Sequence, residues 1–208
     1  MMRIFKPAAT AVLLIAIAGC GKVPPQNTGV RAQPVIQGEV TVASYDKAVT
    51  ETLEHAMSVI NSKAPAEQEL DGDVGKIAAL LALAQEKKVD EARTHEAALL
   101  STEGSLYAVK GSIYKNNPRT AGELIATSFR YLDKAISLHP QDLNARINRG
   151  IVSSKIPEFL GKTATAHDDL EFVRDNADFA RLSPELQDTI KALLAEVDSR
   201  LAKADRVQ

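Results

Sequence analysis

The chain has one cysteine, Cys20. It can close no internal disulfide, so the fold must rest on packing. It has no apolar run of the ~20 residues that a membrane-spanning helix needs. It has no basic excess either, with 25 Lys and Arg against 27 Asp and Glu. That balance argues against nucleic acid, whose binding rests on neutralised phosphates, and leaves no polybasic patch for anionic lipid. The usual catalytic signatures are missing: no serine in a nucleophile elbow, no phosphate loop, no glycine fingerprint and no HExxH pair. The four histidines, His55, His95, His139 and His167, are scattered over different elements. His167-Asp168-Asp169 is the one local group with metal-ligand chemistry, and a site needs three or four converging ligands. The expectation is a non-enzyme with no catalytic residue, no metal and no cofactor.

What is present begins at the N-terminus. Arg3 and Lys6 supply a positive flank, and residues 8–18 are apolar or small apart from Thr10. This run is short for a span and right for a secretory signal. Ile17-Ala18-Gly19-Cys20 resembles the lipobox of bacterial lipoproteins. The resemblance implies cleavage before Cys20, a diacylglycerol on its thiol and a further acyl chain on the freed amine. Two or three chains make a stable anchor, since each buried CH₂ adds ~0.8 kcal/mol. The other reading is an ordinary signal peptide with an incidental cysteine. Gly21 stands where an aspartate would favour inner-membrane retention, so the resemblance implies the outer membrane, facing the periplasm. Loss of Arg3 and Lys6 with the signal makes the remaining chain more acidic.

Three segments follow from this: 1–19 signal peptide, 20–43 lipidated N-terminus and tether, 44–204 helical domain. The tether holds Pro24, Pro25 and Pro34 among Gly, Gln, Asn and Thr. It has little apolar surface to offset ordering entropy. Val35, Ile36, Val40 and Val42 also permit a short strand.

The domain reads as all-α. Ser44 is the expected N-cap of a helix to Ser62, with Tyr45, Ala48, Val49, Thr52, Leu53, Ala56 and Ile60 on its buried face. Residues 67–72 read as an acidic loop. Residues 73–88 are apolar almost all round, which marks a central helix buried on at least two sides. A helix begins at Asp90 and breaks or kinks at Gly104. Asn116-Asn117-Pro118 is a turn. Thr120 and Glu123 fit a capping box for a helix to Leu138. Residues 143–154 and 163–174 are helices, and a helical turn is expected near Phe179. Ser183-Pro184-Glu185 opens the last helix, whose stripe is Leu186, Ile190, Leu193, Leu194, Val197 and Leu201. The tail after Lys203 should fray.

The stretch 120–173 carries a second resemblance. Ser128, Leu132, Ala135 and Pro140 have the spacing of the second helix of a tetratricopeptide repeat, a hairpin of about 34 residues. Gly150 matches the glycine of the following helix, although Arg146 and Arg149 stand in its aromatic and leucine slots. Ala166, Leu170 and Val173 then match the next second helix, displaced by an insertion at 156–161. The chain resembles tetratricopeptide-like bacterial lipoproteins over about one and a half repeats. Pro157, Leu160, Gly161, Ala164 or Ala166, and His167 are similar to a pattern in the lipoproteins that accompany TRAP-type transporters, with Lys162 where a second glycine is usual. The resemblance implies a short α–α superhelix of antiparallel hairpins, with a groove and no inherent catalysis.

Candidate contact residues for a partner or ligand are Arg146, Arg149, Ile156, Phe159 and Leu160. The two arginines lie three apart on one helix face. They either pair with Asp168, Asp169 or Glu171, hold an anionic ligand in the groove, or reach water from a shifted register. Ile156, Phe159 and Leu160 are apolar where a repeat turn would be short and polar. They either meet a partner or, in the case of Phe159, fold back on the hairpin core. The expected function is a lipid-anchored scaffold for another periplasmic or membrane protein. The second resemblance implies a TRAP-type transporter as that partner, and a homo-oligomer is a further expectation. The alternative is small-ligand or peptide binding in the groove.

Overall fold

A computed structural model describes Ile36, residues 40–87 and residues 92–205. The signal segment, Cys20, most of the tether, Asp90 and the last three residues lie outside the described residues. The described chain is helical: α1 (Val42–Ile60), α2 (Glu67–Lys87), α3 (Ala92–Ile113), α4 (Pro118–Leu138), α5 (Leu143–Lys155), α6 (Thr163–Asp175) and α7 (Pro184–Asp205), with 3-10 turns at Glu158–Leu160 and Phe179–Arg181. No strand occurs among the described residues. Ile36 sits in a bend against the core, and Val42 already belongs to α1, which overturns the strand alternative there.

Several boundaries differ from expectation for local reasons. Thr41, not Ser44, caps α1. The Ser44 amide donates to Thr41 Oγ1 at 3.1 Å, and the Thr41 amide donates to Ser44 Oγ at 2.9 Å. This reciprocal pair is a capping box, and it starts the domain inside the segment read as tether. The N-cap of α4 is Asn117 rather than Thr120. Its Oδ1 accepts from the Thr120 amide, with Pro118 at the first helical positions. Residues 67–72 are the opening of α2 and not a loop. Glu67 and Glu69 in its first turn favour the positive helix end.

Successive helices pack antiparallel. Tyr45 meets Leu80 and His55 meets Asp73 across α1 and α2. Tyr114 meets Glu67 across α2 and α3. Gly104 abuts Leu132 and Gly111 abuts Ile125 across α3 and α4. Helices α1, α3, α5 and α7 also touch one after another, and α2, α4 and α6 each lie against two of them.

The central helix is α3, not α2. It packs against α1, α2, α4 and α5, whereas Ala78 and Ala82 of α2 are exposed. The reason is side-chain size. Ser101, Gly104, Ser105, Ala108 and Gly111 give α3 small surfaces on which neighbours can close. A Cβ at Gly104 would lie 2.6 Å from Leu132 Cγ and 3.0 Å from the Ser128 carbonyl oxygen. Gly104 therefore does not break the helix; it lets α4 approach. The buried hydroxyl of Ser105 donates to the Ser101 carbonyl at 3.1 Å, which keeps a polar group satisfied inside the helix. The stripe expected for α7 is buried, with Leu201 half-buried at its end.

Candidate functional site

The α5–α6 hairpin brings most of the candidate residues together. Leu143 follows Asp142, whose carboxylate caps α5 by accepting from the Ala145 amide at 2.8 Å. From that start, Arg146 and Arg149 lie on the face turned to α6. Gly150 lets the helices close, for a Cβ there would stand 3.0 Å from Leu170 and 3.3 Å from the Asp169 Cβ.

Both arginines converge on Asp169, which is fully buried. Arg146 Nη1 donates to Oδ1 at 2.7 Å. Arg149 donates through Nε to Oδ2 at 2.7 Å and through Nη2 to Oδ1 at 3.0 Å. Arg149 also reaches Asp133 of α4 at 2.8 Å. Arg146 further donates to the Pro140 carbonyl at 3.1 Å and lies 4.7 Å over the Phe172 ring. Burial lowers the Arg149 pKa, but hydrogen bonds and charge from Asp169, then Asp133, outweigh it and hold the group above its ordinary value. Of the three acids anticipated, Asp169 is the partner. Glu171 pairs with Arg174, and Asp168 is exposed beside His167.

The insertion between α5 and α6 divides its three apolar candidates. Ile156 is buried with Phe129, Leu132, Val152 and Ala108, so it is a core residue and not a contact residue. Phe159 is 85% exposed and Leu160 41% exposed, so Phe159 does not fold back on the hairpin. The turn beneath them is well fixed. The Leu160 amide donates to the Pro157 carbonyl at 3.0 Å and the Gly161 amide to the Glu158 carbonyl at 2.9 Å. Gly161 adopts φ 67°, which suits a residue without Cβ. Arg200 of α7 donates to the Ser154 carbonyl at 2.9 Å and lies 3.7 Å from Glu158. Lys162 sits 4.3 Å over the Phe129 ring.

His167 lies at the α6–α7 contact, 3.4 Å from Asp198 and 3.5 Å from Asp168. Among the described residues no three His, Cys, Asp or Glu side chains are placed to share a metal ion. An open depression of about 460 Å³ beside α6 is lined by Gln141, Asp168, Glu171, Phe172, Asp175 and Asn176. Its charge is acidic, the opposite of what an anionic ligand requires.

Sequence reasoning missed Glu103. It lies on α3 with 2% of its surface exposed. Tyr131 of α4 lies beside its carboxyl, and its Oε2 has no hydrogen-bond partner among the described side chains. Burial pushes the carboxyl up to about 7, against the lowering influence of the neighbouring Tyr131 and of the charge of Lys134. Tyr131 is itself pushed up to about 12, first by burial and then by Glu103. The Tyr107 and Tyr131 rings stack beside it, 5.5 Å between centroids and 7° from parallel. The available signal was the run of small residues around position 103, which implies a closely packed helix and therefore a buried acid.

No family model, no curated protein and no solved structure matches the chain.

Proposed function

We propose that the chain is an exported lipoprotein, acylated at Cys20, whose tetratricopeptide-like domain binds another protein through the turn that carries Phe159 and Leu160. The observation that carries this reading is Phe159 itself: an aromatic side chain 85% exposed on a turn tied down by Ile156, Gly161 and Arg200. An exposed aromatic on a rigid support loses little entropy when a partner covers it. The repeat-like reading is supported by the full burial of Ser128, Leu132, Ala135, Ala166, Leu170 and Val173, and by one row of successive helices with the others packed against it. No helix among the described residues is long and apolar enough to cross a membrane, so attachment on this reading falls to Cys20, at the outer membrane and on its periplasmic side.

The pattern Pro157, Leu160, Gly161 and His167 makes a TRAP-type transporter component our specific candidate partner. The turn has one further orientation that fits. Thr41 and the α4 end at Leu138 lie at one end of the helices, linked through Asp46–His95 and Glu96–His139. The turn that carries Phe159 follows the C-terminal end of α5, at the other end of the helices. A partner at the turn would therefore sit away from the point where the tether joins. The alternative of an anionic ligand held by Arg146 and Arg149 is less favoured, because their donors are committed to Asp169 and Asp133.

A photo-crosslinking amino acid at position 159 of the full chain, expressed with its signal, tests this reading. The expected result is a discrete crosslinked protein absent when the probe is at exposed Ala195. Equal labelling at both positions, or none, would overturn it. Incorporation of labelled palmitate, lost in Cys20→Ala, tests the anchor.

A further inference from the structure

We propose that Glu103 makes the α3–α4 seam a proton-sensitive latch, closed while its carboxyl carries a proton and loosened when that proton leaves. Glu103 is 2% exposed; Tyr131 lies beside its carboxyl, and Oε2 has no hydrogen-bond partner among the described side chains. A carboxylic acid in such a place is tolerable. A carboxylate there has a full charge, little contact with bulk solvent and too few donors.

The surroundings give it little relief. Lys134 and Arg130 on α4 and Lys110 on α3 are the nearby cations. Lys110 is already bound to Asp71 at 2.6 Å and Glu67 at 3.1 Å on α2. The remaining titratable neighbours are the phenols of Tyr107 and Tyr131. Leu99 and Leu106, one turn to either side of Glu103 on the same helix face, are buried in the main apolar cluster, and α5 meets α3 on another face, where Asn148 donates to Ser101 Oγ at 3.0 Å. Relief must then come from movement. One residue along, at Gly104, α4 is seated so close that even a Cβ would meet Leu132 and the Ser128 carbonyl oxygen, which leaves no slack at this point of the seam. Solvation of Glu103 requires the Tyr107–Tyr131 stack to part and α4 to lift.

Such a movement has a defined reach. On α4, Phe129 packs against Ile156 and under Lys162, and Asp133 bonds Arg149. Those residues lie two positions before and two after Tyr131, so α4 links the buried acid to the base of the Phe159 turn. The latch stands without the partner reading; its use in presenting Phe159 rests on that reading.

Amide hydrogen exchange of the full chain, without any partner, tests the latch. Wild type and Glu103→Gln, whose amide copies the protonated shape, are compared from pH 5 to 8 after correction for intrinsic rates. The expected ratio of wild-type to variant exchange in α4 climbs about tenfold per pH unit up to near pH 7 and then levels off. A flat ratio overturns the latch, as does a climb of the same size in α6 and α7, which would mean general unfolding. Carbon-13 titration of the Glu103 carboxyl in the wild type keeps the test open if the variant does not fold. A midpoint near neutrality supports the proposal, and one between about 4 and 5, the ordinary carboxylate range, overturns it.

Discussion

Arg149 meets Asp169 side-on, Nε to Oδ2 at 2.7 Å and Nη2 to Oδ1 at 3.0 Å, with the carboxylate wholly out of solvent. This contact joins α5 to α6, and the second arm of the same guanidinium joins both to α4 through Asp133. Arg146 and Arg149 thus hold α5 to α6 through polar contacts at the helix interface. They do so because an acid on the facing helix needs them.

Removing one member of this cluster should be severe. Arg149→Ala leaves Asp169 buried with Arg146 alone, and a loss of about 3–5 kcal/mol is expected. Asp168→Ala, at a side chain 75% exposed, should change stability by less than about 1 kcal/mol. Urea unfolding of both variants checks the contrast. An unchanged midpoint for Arg149→Ala would remove the structural role.

Two glycines should respond in opposite ways to alanine. Gly104→Ala gains helix propensity but drives its Cβ into Leu132 and the Ser128 carbonyl, so a net loss of roughly 1–3 kcal/mol is expected. The backbone carbonyl cannot rotate aside and Leu132 is itself fully buried, so Leu132→Ala in the same chain should lower stability further. A methyl group added at Gly122 would meet nothing within 4 Å, and Gly122→Ala should stabilise by roughly 0.4–1 kcal/mol. Thermal melts of the three variants decide this.

The insertion turn should separate packing from exposure. Ile156→Ala opens a hole beside Phe129 and Leu132 and should cost roughly 2–4 kcal/mol. Phe159→Ser removes a side chain that covers nothing and should stay within about 0.5 kcal/mol of wild type. Denaturant midpoints measure both. A large loss for Phe159→Ser would return that ring to the core.

Glu103 should give stability a specific pH dependence. Its folded pKa of about 7 exceeds the ordinary 4.5. Between those values the folded chain holds a proton that the unfolded chain has released, so rising pH favours unfolding. The contribution is fully present below about 4.5, declines through the interval and is gone above 7. The shift corresponds to roughly 2–4 kcal/mol. Unfolding free energies of wild type and Glu103→Gln should therefore run parallel near pH 4 and diverge by that amount at pH 8, with the variant the more stable.

The parts of this fold that were legible in sequence were those set by local chemistry. The α7 start at Ser183-Pro184 and the α4 stop before Pro140 follow from proline geometry. The buried faces of α1, α4 and α7 follow from 3.6-residue spacing. The extent of α2 was hidden because Glu67, Glu69 and Asp71 look like a loop until a helix dipole and Lys110 give them partners. The caps of α1 and α4 lie about one helical turn before the expected ones, because Thr41 and Asn117 compete with equally good neighbours, Ser44 and Thr120. The candidate site was half visible. Arg146 and Arg149 stood out against the repeat pattern, but which of Asp168, Asp169 and Glu171 they meet depends on helix rotation.

By itself, then, the sequence determined that the domain is helical, where most helices stop, and which face each amphipathic helix buries. Those are properties of residues three or four apart. Only the tertiary structure decided that α3 and not α2 lies at the centre, that Ile156 is inside and Phe159 outside, and that Glu103 is a buried acid. A helix can be central because its neighbours come close to small side chains, and closeness between distant segments is not written in the hydrophobicity of either one.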